Sequence, residues 1–181
     1  GPVKVDATKL PGVVIIEPQV FGDERGFFLE NYHEKRYRED AGITETFVQD
    51  NRSHSGKDVL RGIHFQQTKP QGKLVQVTQG EVFDVAVDIN PESETFTQWV
   101  GASLSGSNHV QFYIPPGYGH AFLVVSDTAD FQYKCTEFYY PDDEISVLWN
   151  DPDIDIDWPT TSPKLSEKDS SAMTLDEFLK R

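Results

Sequence analysis

Val82-Phe83-Asp84-Val85-Ala86-Val87-Asp88-Ile89 decides the fold class of this chain. Side chains alternate across a β-strand with a period of two. Phe83, Val85 and Val87 fall on one pleat face; Val82, Asp84, Ala86 and Asp88 fall on the other. The first face is expected to meet the core. Gln79-Gly80-Glu81 turns the chain before the run, and Ile89-Asn90-Pro91 turns it after.

Working outward, similar short runs recur on both sides. They span residues 13–17, 27–32, 47–52, 59–66, 73–78, 99–104, 110–114, 121–126, 131–138 and 145–149. Pro115-Pro116-Gly117 and Tyr140-Pro141-Asp142-Asp143 punctuate the later ones. Many short strands between turn signals imply an all-β sandwich, barrel or jelly roll. Helix is sparse. Glu34–Ala41 offers two turns stopped by Gly42. Thr174-Leu175-Asp176-Glu177 reads as a capping box, with Leu175, Phe178 and Leu179 on the apolar side of a short terminal helix. Residues 151–164, rich in Asp and Pro, read as a loop that packs Trp158 onto the strands. With no linker, repeat or low-complexity segment, residues 1–181 are expected to form a single domain.

Composition excludes several functions. The net charge is −14, from 30 acidic and 16 basic residues. Such a surface repels nucleic acid and anionic membranes. An anionic ligand would need a local basic cluster, for which Arg25, Arg61, Lys73 and Lys168 are the candidates. The single cysteine, Cys135, excludes an internal disulfide and a multi-cysteine zinc site, and its strand context suggests a buried thiol. No apolar run approaches the roughly 18 residues of a membrane helix. There is no signal-peptide pattern, so a cytoplasmic location is expected and the sequon Asn51-Arg52-Ser53 carries no weight. Gly1-Pro2 reads as a remnant of tag removal.

The chemistry concentrates in Val59-Leu60-Arg61-Gly62-Ile63-His64-Phe65-Gln66 and the following Pro70-Gln71-Gly72-Lys73. A strand of Val, Leu, Ile and Phe has no packing reason to carry Arg and His at its centre. In a regular strand His64 shares a face with Leu60, Gly62 and Gln66, while Arg61 points away with Ile63 and Phe65. The two can meet one ligand only if the strand bulges or twists near Gly62, and a glycine inside a strand often marks such a place. Two histidines in strands, His64 and His120, suggest a metal first. Metal-binding jelly rolls usually offer a His-x-His pair, and here position 66 is Gln. A two-histidine, one-carboxylate site remains conceivable, but a metal-free base is the better reading.

Further motifs stand in order along the chain. They are Asp23-Glu24-Arg25-Gly26-Phe27-Phe28, Val48-Gln49-Asp50-Asn51, Tyr113-Ile114-Pro115-Pro116-Gly117-Tyr118-Gly119-His120, Tyr133-Lys134-Cys135-Thr136 with Tyr139-Tyr140-Pro141, Trp149-Asn150-Asp151-Pro152-Asp153 with Asp157-Trp158-Pro159, and Leu165-Ser166-Glu167-Lys168-Asp169. Together with the 59–73 stretch, this set resembles the dTDP-4-dehydrorhamnose 3,5-epimerase family over about residues 10–179. The resemblance implies a cupin-like double-stranded β-helix, or jelly roll, with short peripheral helices, usually a homodimer, with the ligand inside the barrel. It implies no cofactor and no metal.

It also implies roles. The expected substrate is dTDP-4-dehydro-6-deoxy-D-glucose, inverted at carbons 3 and 5 beside its ketone. By resemblance His64 is the base, and histidine suits that task because its ordinary pKa is about 6.5. Asp169 matches the carboxylate that orients it, and Lys73 the cation near the keto oxygen. Tyr139 matches the proton donor on the opposite face; a phenol, with an ordinary pKa of about 10, starts protonated. The residues alone do not choose between Tyr139 and Tyr140; the family register chooses Tyr139. Arg61 and Arg25 are expected at the diphosphate, Phe27 near the thymine, and Glu30, Gln49, Asp50, Asn51, His120, Glu144 and Lys168 among the other ligand contacts. One contact set in this family crosses the dimer interface, so Arg25 or Glu30 is expected to serve a partner's site. Two departures, Tyr118-Gly119-His120-Ala121 for Phe-Ala-His-Gly and Ile63-His64-Phe65 for Leu-His-Tyr, remove no reacting group. A single-carbon epimerase, a metal-dependent cupin and a non-catalytic sugar binder are the competing readings.

Overall fold

The structure is a computed structural model that describes residues 3–181. Gly1 and Pro2, read above as a remnant of tag removal, lie outside the described residues. Among the described residues, thirteen strands form two facing antiparallel sheets and a separate hairpin. In chain order they are β1 (Lys4–Ala7), β2 (Val14–Glu17), β3 (Val20–Asp23), β4 (Gly26–Leu29), β5 (Gln49–Gly56), β6 (Leu60–Gln66), β7 (Lys73–Gln79), β8 (Glu81–Asp88), β9 (Trp99–Ser105), β10 (Gln111–Ile114), β11 (Tyr118–Val124), β12 (Thr128–Cys135) and β13 (Glu144–Ser146). The six-stranded sheet runs β1-β2-β10-β7-β12-β5, and the five-stranded sheet runs β13-β6-β11-β8-β9. The β3–β4 hairpin stands apart from both.

Apolar residues fill three layers. The space between the sheets holds Val75, Val77, Val82, Ala86, Leu104, Phe112, Phe122 and Phe131. Outside the five-stranded sheet, Leu60, Ile63, Val85 and Val87 pack under Ile154, Ile156, Trp158 and Leu175. Outside the six-stranded sheet, Ile16, Leu74 and Tyr113 pack with Tyr37 and Ile43. Each sheet is thus covered on both faces. The face of β8 expected to meet the core does so, in the outer layer, and its second face is buried as well. Phe83, Val85 and Val87 face the outer layer, while Val82, Asp84 and Ala86 face the inside of the roll, and Asp84 is fully buried.

Three short helices lie at the periphery. α1 (Glu34–Ala41) has His33 as its N-cap and ends at Gly42, whose φ of 70° is left-handed, the conformation glycine supplies most readily. α2 (Glu167–Ser170), which sequence reading left within a motif, is capped by Ser166. α3 (Leu175–Lys180) carries the capping box of Thr174 and Glu177. Leu175 and Phe178 pack inward, but Leu179 is exposed, against expectation. Strands β1 and β3 were not read from the sequence; β1 is a short edge strand, β3 lies in the separate hairpin, and neither buries a residue. Among the described residues no helix is long and apolar enough to cross a membrane.

Candidate active site

The site grows from an irregularity in β6. Its pairing with β11 sets His64 opposite His120 and Arg61 opposite Phe122. Between those pairs, Gly62 and Ile63 together face Ala121, which is a β-bulge. The bulge turns Arg61 onto the same face as His64, and both line one cavity. Gly62 holds φ 126°, and a Cβ there would sit 2.6 Å from His120 O. Only glycine fits that backbone.

The bulge also frees the Gly62 amide, which donates to Asp169 Oδ2 at 3.1 Å. Asp169 Oδ1 accepts from His64 Nε2 at 2.7 Å and from Ser146 Oγ at 3.2 Å. Asp169 is 3 % exposed. Burial opposes its charge, but the bonds from His64, Gly62 and Ser146 outweigh it and hold the carboxyl below the usual range. An ionised Asp169 only accepts, so His64 Nε2 carries the proton between them. In the neutral imidazole Nδ1 then holds the lone pair.

The cavity holds about 340 Å³ and is walled by both sheets, α2 and the segment after β12. Lys73, at the start of β7, is a wall residue, with Nζ 5.6 Å from the Tyr133 ring centroid. Burial pulls its pKa down. Arg61 is held by two bonds to Ser55 Oγ, at 3.1 and 2.9 Å. Among the described residues, neither Arg61 nor Lys73 has a carboxylate within ion-pair distance. At the mouth, Lys168 pairs with Glu144 at 2.7 Å. His120 Nε2 bonds Asp84 at 2.9 Å, and burial pushes Asp84 up and His120 down, toward a neutral pair. Asn51 and Tyr139 complete the wall. The arrangement offers a base, two unpaired cations and a phenol around one void. Such a void suits a polyanionic ligand with an acidic carbon-bound proton.

Residues 7–177 match the sequence model of dTDP-4-dehydrorhamnose 3,5-epimerase. The enzyme of that name from Salmonella typhimurium LT2 is 54% identical over 174 residues, 95% of each chain. Its Escherichia coli K12 counterpart is 50% identical over 180 residues, 98% of this chain and 97% of its own. The solved dTDP-6-deoxy-D-glucose-3,5-epimerase of Legionella pneumophila, in complex with dTDP-4-keto-L-rhamnose, superposes with a TM-score of 0.93. It is 53% identical and covers 96% of this chain and 93% of its own.

The chain belongs to the dTDP-4-dehydrorhamnose 3,5-epimerase family. It is therefore an epimerase of dTDP-rhamnose biosynthesis on a cupin-type jelly roll.

Of the candidates drawn from the epimerase resemblance, the fold gathers His64, Asp169, Lys73, Tyr139, Arg61, Asn51, His120, Glu144 and Lys168 at the cavity. Tyr140 is not among its lining residues; the Lys69 ammonium lies 4.2 Å from its ring. Gln49 and Asp50 are on β5 but do not line the cavity: the Gln49 amide bonds Asn51 and Tyr139 N, and Asp50 pairs with Lys134. Arg25, Phe27 and Glu30 lie elsewhere. Arg25 pairs with Asp23 on the hairpin, Phe27 sits beside His109, and Glu30 pairs with Arg36. Sequence reading assigned no role to Asp84, Arg52, Ser55, Tyr133 or Ser146. The Asp84 signal was available: an acid on the second face of an apolar strand. Tyr133 follows Phe131 at strand spacing, which marks both as facing one side.

Proposed function

We propose that this chain, acting as one jelly-roll unit without a metal, inverts carbons 3 and 5 of dTDP-4-dehydro-6-deoxy-D-glucose to give dTDP-4-dehydro-L-rhamnose. The observation that carries the reading is the convergence of the His64–Asp169 dyad, unpaired Lys73 and Tyr139 on one cavity. His64 Nδ1 takes the proton from the carbon next to the ketone. The carbon–hydrogen electron pair moves into the ring as an enolate. Lys73 stabilises the enolate oxygen, a fixed charge worth roughly 10²- to 10³-fold in rate. Tyr139 then gives its phenolic proton to the opposite face. Solvent returns a proton to Tyr139 and removes one from His64, and the cycle repeats at the second carbon. Asp169 fixes the imidazole and favours its charged form as the proton arrives.

Arg61 and Lys168 supply positive charge for the diphosphate, and Arg61 has the planar fork suited to it. Asn51, His120 and Glu144 are assigned to polar groups of the ligand. Arg25, Phe27 and Glu30, which do not line this cavity, reach the cavity of a second copy. Phe21, Phe27 and Phe28 on that hairpin are 51%, 63% and 70% exposed, and a homodimer would cover them. A cytoplasmic location belongs to the same proposal, and Cys135 is a free, buried thiol.

The test is to incubate the purified protein with the 4-keto sugar nucleotide and a chelator, then read ring-proton couplings by NMR. Inversion at both carbons is expected. Inversion at one carbon would make the chain a single-carbon epimerase. No turnover with chelator, restored by a metal, would return the metal-dependent cupin; no turnover under either condition would leave a sugar binder.

A further inference from the structure

Residues 137–140 leave β12 and run irregularly toward the turn at Pro141–Asp143. Such a segment has no sheet ladder to take its backbone polar groups, and buried ones must be paired. Three glutamine side chains take them. Gln71 Nε2 donates to Glu137 O at 3.0 Å. Gln49 Oε1 accepts from Tyr139 N at 3.0 Å. Gln66 Nε2 donates to Phe138 O at 3.1 Å and to Lys69 O at 2.8 Å, while its Oε1 accepts from Tyr140 N at 2.8 Å. Gln66 is 4% exposed, so its amide works away from water.

Gln66 therefore grips the backbone immediately before and immediately after Tyr139. It also lies two positions along β6 from His64. One strand thus carries both the base and the clamp on the loop that carries the phenol. We propose that Gln66 is a positioning residue that fixes the Tyr139 phenol relative to His64. The task needs donors and an acceptor on one neutral side chain, which an amide supplies and a carboxylate, thioether or alkyl group does not. It also gives a reason for Gln at the position where a metal-binding jelly roll carries its second histidine. The proposal rests on the acid–base roles given to Tyr139 and His64. A displacement of about 1 Å can cost up to about 10²-fold in a positioned proton transfer.

The experiment separates the two half-steps. In deuterium oxide, proton removal by His64 exchanges carbon-bound hydrogen in the substrate, whereas inversion also needs the proton from Tyr139. Gln66→Met is expected to take up deuterium within about threefold of the parent rate while inversion falls about tenfold or more. Tyr139→Phe should show the same split more strongly. Gln66→Met losing both rates in proportion, or neither, while Tyr139→Phe splits them, overturns the positioning role alone. Tyr139→Phe inverting at the parent rate overturns the acid assignment, and the positioning role with it. Should Gln66→Met not fold, Gln71→Leu removes the Glu137 contact together with one polar group of the cavity wall, and must give a smaller split of the same sense; proportionate losses overturn the proposal.

Discussion

Asp169 shows how much one carboxylate decides at the scale of the residue. Its two oxygens take three donors, so it fixes the imidazole, pins the Gly62 amide and stays ionised at 3% exposure. Asp169→Asn leaves shape nearly intact but puts an amide opposite His64 Nε2. We expect kcat/KM to fall about 10²- to 10⁴-fold, measured by coupled assay. The same residue shapes acid stability. Its folded-state pKa lies below the ordinary value of about 3.9, so its contribution is present above that value and is lost as pH falls through the lower one. Urea denaturation between about pH 6 and pH 3 should therefore show a shallower acid limb for Asp169→Asn than for the parent. Lys73 makes a second case. Burial lowers its pKa, and among the described residues no carboxylate lies within ion-pair distance, so an anionic ligand group beside it would favour its charged form. Lys73→Met is expected to lower kcat about 10²- to 10³-fold, while calorimetric affinity for dTDP, which lacks the keto oxygen, changes little.

At the scale of the element, β6 governs the site, because its bulge brings Arg61 and His64 to one face. Gly62→Ala would place a Cβ 2.6 Å from His120 O and Ala121 Cβ at a φ of 126°. A loss of at least about 1–3 kcal/mol in unfolding free energy is expected from denaturant titration. The glycine made this bulge legible in the sequence, as Gly42 and the Thr174 box made α1 and α3 legible. Asp84 was legible as an acid on the second face of β8, but its burial was not. A period of two marks two faces but does not tell that both are covered, so an acid on the second face reads as solvated when it is buried against His120. The Tyr139 segment was half legible: family register chose the residue, but its bracing by Gln49, Gln66 and Gln71 joins positions far apart in the chain. Nothing local in a glutamine announces which distant backbone it will hold.

At the scale of the whole molecule, the chain carries a net charge of −14 and gathers unpaired cations inside one cavity. The field outside opposes a dinegative ligand while the field inside attracts it. The β3–β4 hairpin carries exposed aromatics and the Arg25 candidate, none of which lines that cavity. Its first strand, β3, was beyond sequence reading, because a four-residue strand with no buried side leaves no alternation, whereas the run at 27–32 announced β4. If a second copy receives the hairpin, Arg25→Ala and His64→Ala proteins should each be impaired alone. Remixed after mild dissociation, they should regain activity, because half of the sites in a mixed dimer carry both intact residues. Unchanged inactivity in a verified mixed dimer would mean that each site is built from one chain. The central claim is that His64, oriented by Asp169, removes the protons beside the ketone. The most direct measurement is solvent deuterium incorporation at carbons 3 and 5, followed by proton NMR with chelator present, in the parent protein and in His64→Ala. The account predicts label at both carbons in the parent and at neither in a folded His64→Ala protein. Label entering His64→Ala at the parent rate would contradict it.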